Sequence, residues 1–168
     1  MNNIIYKTVR VWPRIKFTEY CKYNMIDDST VENYNYAFIE ILNTSLCKEP
    51  FENWDNGSNT AMFHKDHKNV LILVFDDVEY DINSKGHLYK AFTKEQGKKV
   101  IEFINNNIDK SKFIVHCSAG ISRSGAVGRF IFDYLKANGF NVKFPEHNNI
   151  NPNGIVSRTL NNIINDYE

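Results

Sequence analysis

Two short stretches of this chain are apolar at consecutive positions rather than at alternate ones. Val70-Leu71-Ile72-Leu73-Val74-Phe75 and Phe113-Ile114-Val115 are each bounded by charged or turn-forming residues, and neither leaves a polar face for water. A strand of that kind has to be covered on both sides, as in a parallel sheet held between helices. Residues 69–75 and 112–116 are therefore expected to be buried strands, with residues 4–11 and 36–42, rich in Val, Ile, Tyr and Phe, as two more. A run of six apolar residues falls far short of the about 20 that span a bilayer, so no membrane-crossing segment is expected.

Helical spacing fills the intervals. From residue 88 to 108, Phe92, Val100, Ile101, Ile104 and Ile108 mostly recur at three or four positions with Lys and Glu between them, the pattern of an amphipathic crossover helix. Ala126, Val127, Phe130, Ile131, Tyr134 and Leu135 form a second stripe that stops at Asn138-Gly139, a helix-ending pair. Ile155, Val156, Leu160, Ile163, Ile164 and Tyr167 form a third, after Asn151-Pro152-Asn153. Strands alternating with helices predict an α/β fold with a mostly parallel central sheet of four to five strands flanked by helices. The 168 residues contain no repeat and no linker-like tract, so a single domain over 1–168 is expected, with residues 48–66 as a surface excursion.

Charge narrows the partners. Twenty basic residues face twenty acidic ones, so no polybasic surface is expected for nucleic acid or membranes, and an anionic ligand has to be held locally. The amino-terminal residues lack the apolar core of a secretory signal, which predicts a cytoplasmic protein. Cys21, Cys47 and Cys117 are too few and too scattered for a disulfide framework or a paired-cysteine zinc site. Cys21 reads as a small core residue. His64-Lys65-Asp66-His67 reads as a polar loop, and no metal is assigned.

The segment that carries chemistry is His116-Cys117-Ser118-Ala119-Gly120-Ile121-Ser122-Arg123-Ser124. It comes directly after an expected buried strand and directly before a strong helix, where ligands bind in open α/β sheets. Amide groups of the tight turn 118–122 and the positive end of the helix starting near Ser122 suit a dianionic phosphate. The same surroundings move a cysteine from about 8.5 to roughly 3.5–7.5, which makes Cys117 a thiolate nucleophile at neutral pH. Arg123 presents a planar fork to two phosphoryl oxygens, which a lysine cannot do. Gly120 allows close approach to the anion. Ser124 is placed to donate to the sulfur, and His116 to orient the loop.

These residues resemble the His-Cys-x5-Arg-Ser/Thr signature of the protein tyrosine phosphatase superfamily, and the fuller string is similar to its dual-specificity branch. Asn151-Pro152-Asn153 resembles the Pro-Asn element before that family's last helix. The resemblance implies a cysteine phosphatase fold and hydrolysis of phosphomonoesters through a cysteinyl-phosphate, without cofactor or metal. The substrate it implies is a phosphoprotein: phosphotyrosine, with a shallow pocket expected to admit phosphoserine and phosphothreonine as well. It further implies a general acid on the loop after the strand at 69–75, where Asp76, Asp77 and Asp81 compete. A Phe-x-Asp-Val pattern selects Asp77, whereas alignment on Asp81-Ile82 selects Asp76. Asp77 and Cys117 stand 40 positions apart, more than in compact relatives, which an extra loop around residues 83–88 would supply. Cys47 follows the second expected strand, and the resemblance makes it a candidate for the reversible disulfide by which some relatives protect their nucleophile. Arg158 matches no element of the family and reads as a helix cap, or as a second arginine for a flanking phosphate. Trp12-Pro13 lacks the Asp of the family's Trp-Pro-Asp loop and reads as structure. An RNA 5′-phosphatase, a sulfur- or arsenate-handling enzyme and a non-catalytic phosphopeptide-binding module are the alternatives.

Overall fold

A computed structural model describes residues 4–44 and 61–166. Strand and helix alternate along the chain: β1 Tyr6–Pro13, α1 Arg14–Tyr23, a 3-10 turn Val31–Asn33, β2 Tyr36–Leu42, β3 Val70–Val74, β4 Ile82–Ser84, β5 His87–Tyr89, α2 Lys94–Asn106, β6 Lys112–Cys117, α3 Arg123–Ala137, β7 Asn141–Lys143 and α4 Gly154–Asn165. Five strands form one sheet in the order β3-β2-β6-β1-β7, with every neighbouring pair parallel. The α/β class and the parallel sheet expected from the sequence are what the chain forms.

The consecutive apolar runs account for the layers. Successive residues of a strand face opposite sides of the sheet, yet Phe113, Ile114 and Val115 of β6 are all fully buried. Phe113 and Val115 belong to a core shared with Val9, Val11, Ile39, Ile41 and the inner faces of α2, α3 and α4. Ile114 belongs to a second core with Trp12, Phe17, Phe38, Val31 and Phe63. Gly128 lets α3 lie close on β1, since a Cβ there would fall 2.3 Å from Val11 Cγ2. α2 opens with a capping box, in which Thr93 Oγ1 accepts from the Gln96 amide at 3.2 Å and Gln96 Oε1 accepts from the Thr93 amide at 3.0 Å.

The chain departs from the sequence expectation in four places. The helix expected from residue 88 begins only at Lys94, and residues 82–89 form an antiparallel hairpin instead. Lys85 and Gly86 close it at φ of 52° and 76°, the positive-φ pair whose twist suits a two-residue hairpin. This hairpin is the extra loop anticipated between Asp77 and Cys117. α1 was not expected, because it buries only Arg14, Phe17 and Cys21 and has no side-chain cap. β7 is three residues long, too short to show a pattern. Finally, Ala61, Met62 and Phe63 fall within the expected surface excursion but are buried, drawn inward by a carboxylate described below.

Candidate active site

β6 ends on Cys117 and α3 begins on Arg123, so residues 118–122 turn from the carboxyl edge of the sheet into a helix. Flanking backbone shapes the turn. Gly120, at φ +69°, packs against the end of β1, where an added Cβ would lie 2.3 Å from Pro13 N and 2.4 Å from Trp12 C. The Arg14 amide donates to Ser118 O at 3.3 Å, and the Asn151 and Asn153 amides donate to Ile121 O and Ser122 O, each at 3.1 Å. Three carbonyls of the turn are thereby engaged from outside. Ser118, Ala119 and Ile121 are exposed.

Cys117 is 2% exposed, and its Sγ lies 3.0 Å from Ser124 Oγ. Burial opposes ionisation of the thiol, but the Ser124 hydroxyl and amide, the Arg123 charge and the Ile121 amide outweigh it and hold Cys117 below its ordinary value. Cys21 shows the contrast: it is fully buried in the second core, and burial, with Glu40 nearby, pushes its thiol up. The same residue type is thus poised for chemistry in one place and inert in the other.

Arg123 folds back across the turn. Nη1 donates to Asn43 Oδ1 at 2.5 Å and to Phe75 O at 2.8 Å, and Nη2 to Ser118 Oγ at 3.3 Å. Its buried Nε has no partner among the described residues. A buried cationic donor left in that state is suited to an anion in the turn.

His116 is completely buried beside the ring of Phe17, at 4.3 Å between centroids. It pairs with Glu40 across β2 and β6, and its Nε2 lies 2.9 Å from Glu40 Oε1. Glu40, also fully buried, accepts from the Met62 amide at 2.7 Å and the Phe63 amide at 3.0 Å. These bonds draw residues 61–63 inward. Glu40 was missed in the sequence, where the available signal was an acid in the midst of Tyr36-Ala37-Phe38-Ile39-Glu40-Ile41-Leu42. An acid in such a strand needs buried partners.

The three Asp residues part company. Asp76 is 4% exposed and both its oxygens are taken, by the Thr44 amide and hydroxyl and the Lys90 amide. Asp77 is exposed, and its Oδ1 accepts from Ser122 Oγ at 2.7 Å and Asn153 Nδ2 at 2.9 Å. Oδ2 has no donor among the described residues. Asp81 lies by the hairpin, where the Ala91 amide and Lys90 hold its carboxyl below the ordinary range. Asn153 performs three tasks: its side chain caps α4 by accepting from the Val156 amide, its amide group holds Asp77, and its backbone holds Ser122.

Other sequence candidates lie elsewhere. Arg158 pairs with Glu79 of the Asp77 loop at 3.7 Å, with both side chains more than half exposed. His64 Nδ1 and His67 Nε2 share the Asp28 carboxylate at 2.6 and 2.7 Å, a partner too distant in sequence to be seen there. Trp12 ends up beside the turn, its indole donating to Glu146. Cys47 lies outside the described residues.

Fold and turn together define the class: an α/β protein with an ionisable cysteine in a strand-to-helix loop at the carboxyl edge of a parallel sheet. No family model matches the chain, and no curated protein matches it. Among solved structures it is similar to a human tyrosine phosphatase-like serine/threonine/tyrosine-interacting protein, at 18% identity over 83% of each chain and a TM-score of 0.43. Among the described residues no helix is long and apolar enough to cross a membrane.

Proposed function

We propose that this chain is a cysteine-dependent phosphomonoester hydrolase of the protein tyrosine and dual-specificity phosphatase type. One observation carries the reading: the buried Cys117 sulfur, 3.0 Å from Ser124 Oγ, shares its turn with an Arg123 whose Nε has no acceptor among the described residues. In the first step Cys117 Sγ attacks phosphorus, the bond to the leaving oxygen breaks, and Asp77 gives that oxygen its proton. Arg123 and the amides of the turn hold the equatorial oxygens throughout. In the second step water attacks the cysteinyl-phosphate and passes a proton to Asp77. The S–P bond breaks, leaving inorganic phosphate and a thiolate to which Ser124 donates. The geometry of Asp77 favours it over Asp76, whose oxygens are both already occupied. Ile121, an apolar side chain 44% exposed on the turn itself, offers a surface to an aryl ring. That favours phosphotyrosine proteins as substrates, with phosphoserine and phosphothreonine admitted by a shallow site.

The test is hydrolysis of an aryl phosphate and of phosphotyrosine, phosphoserine and phosphothreonine peptides by wild type, Cys117→Ser and Asp77→Asn. Cys117→Ser is expected to be inactive and Asp77→Asn to turn over about 10²–10⁴-fold more slowly, the usual worth of a general acid. Equal rates for wild type and Cys117→Ser refute the reading.

A further inference from the structure

We propose that Asn43 is a positioning residue that anchors Arg123 through a neutral acceptor, so that the guanidinium keeps its whole charge for the oxyanion. The proposal rests on the phosphatase reading above. Asn43 directly follows β2, and its Oδ1 accepts from Arg123 Nη1 at 2.5 Å. The other two acceptors, Phe75 O at 2.8 Å and Ser118 Oγ at 3.3 Å, are also uncharged. Arg123 is 4% exposed and forms no ion pair within 4 Å among the described residues. A buried arginine is ordinarily matched with a carboxylate, and carboxylates are at hand. Asp76 follows Phe75 directly, but its oxygens are turned to Thr44 and Lys90. Asp77 is bound to Ser122 and Asn153, and Glu40 to His116, Met62 and Phe63. These three acids are thus tied to other donors, and the side chain that grips Arg123 Nη1 is an amide.

The choice has a chemical consequence. A carboxylate at position 43 could grip Nη1 as well as or better than the amide, yet it would set a negative charge beside the cation that faces the phosphoryl group. By Coulomb's law, at an effective dielectric of about 20, a unit negative charge roughly 7 Å from a singly charged oxyanion weakens its binding by roughly ten- to a hundredfold, and that of a dianion by more. It would also disfavour the Cys117 thiolate, which Arg123 helps to hold. Asn43 therefore fixes Arg123 in place while leaving the field of the turn positive.

Two substitutions separate anchoring from charge. Asn43→Asp is expected to lower vanadate and phosphate affinity by ten- to a hundredfold, to raise KM for an aryl phosphate, and to move iodoacetamide alkylation of Cys117 to higher pH. Asn43→Ala, which leaves Nη1 with Phe75 O alone and adds no charge, is expected to lower kcat while leaving the alkylation profile close to wild type. If Asn43→Asp binds vanadate as wild type does and alkylates over the same pH range, the proposal is wrong. If Asn43→Asp fails to fold, judged by circular dichroism, Asn43→Ala decides, and an unchanged kcat overturns the anchoring role. Vanadate binding and hydrolysis by wild type are measured alongside. Their absence would remove the phosphatase reading itself, an outcome distinct from failure of the Asn43 assignment in an active enzyme.

Discussion

Replacing Glu40 by Ala should be among the most damaging single changes in the molecule, even though the side chain touches neither Cys117 nor Arg123. The carboxylate is fully buried and accepts three hydrogen bonds: Met62 N at 2.7 Å, Phe63 N at 3.0 Å and His116 Nε2 at 2.9 Å. Each donor left without an acceptor in the interior costs about 1–3 kcal/mol, which sums to about 3–9 kcal/mol. Removing a buried carboxylate also relieves its own desolvation, so the lower part of that range applies, about 3–5 kcal/mol, as for other broken buried pairs. For a chain of this size about 1 kcal/mol moves Tm by roughly 2–4 °C, which predicts a fall of roughly 6–20 °C. Urea unfolding followed by far-ultraviolet circular dichroism measures the change as a lower midpoint at constant slope. Glu40→Gln keeps one acceptor oxygen but turns an NH2 group towards a donor, so it should lie between wild type and Glu40→Ala. A loss below about 1 kcal/mol for Glu40→Ala would refute the reasoning, because three buried donors cannot be abandoned so lightly.

Three further outcomes follow from the same geometry. Gly120→Ala should abolish oxyanion binding with helix content retained, read by vanadate titration, because its Cβ would meet Pro13 and Trp12 backbone at 2.3–2.4 Å. Asp76→Ala should destabilise the fold by about 2–4 kcal/mol in urea, since its donors lose their acceptor, whereas Asp77→Ala, at an exposed position, should slow hydrolysis and leave the unfolding free energy within about 0.5 kcal/mol of wild type. Ser124→Ala removes one of the groups that hold the Cys117 thiol down, so the pH profile of alkylation should shift upward. The sign extends to stability: a depressed thiol favours the folded state most at pH above the unfolded thiol value, and that contribution fades as pH falls through the folded value.

The parts of this structure that were legible in the sequence share one property: the information is local. Consecutive apolar residues at 70–75 and 113–115 announce strands covered on both faces, and a cysteine six positions before an arginine announces the turn between β6 and α3. What was not legible depends on residues far apart in the chain. Nothing near Asp76 or Asp77 says which of them is consumed by Thr44 and Lys90 and which reaches Ser122 and Asn153. The burial of Met62 and Phe63 depends on Glu40, more than twenty positions away. The end of the hairpin, Leu88 and Tyr89, was assigned to the following helix because Leu88 happens to stand at helical distance from Phe92, although it is 44% exposed. Lys85-Gly86 was the competing turn signal there.

β2 and the two residues after it brace each part of the site in turn: Glu40 the imidazole of His116, Asn43 the guanidinium of Arg123, and Thr44 the Asp76 carboxylate. A slide of β2 by a single residue along β6 would set Ile39 or Ile41 opposite His116 and carry all three braces out of reach together. Such a misaligned chain would keep nearly all its strands and helices, and a spectroscopic measure of folding would pass it as native. Oxyanion binding would not. For anyone transplanting the turn at 116–124 into another scaffold, the unit to move is therefore the turn together with its neighbouring strand.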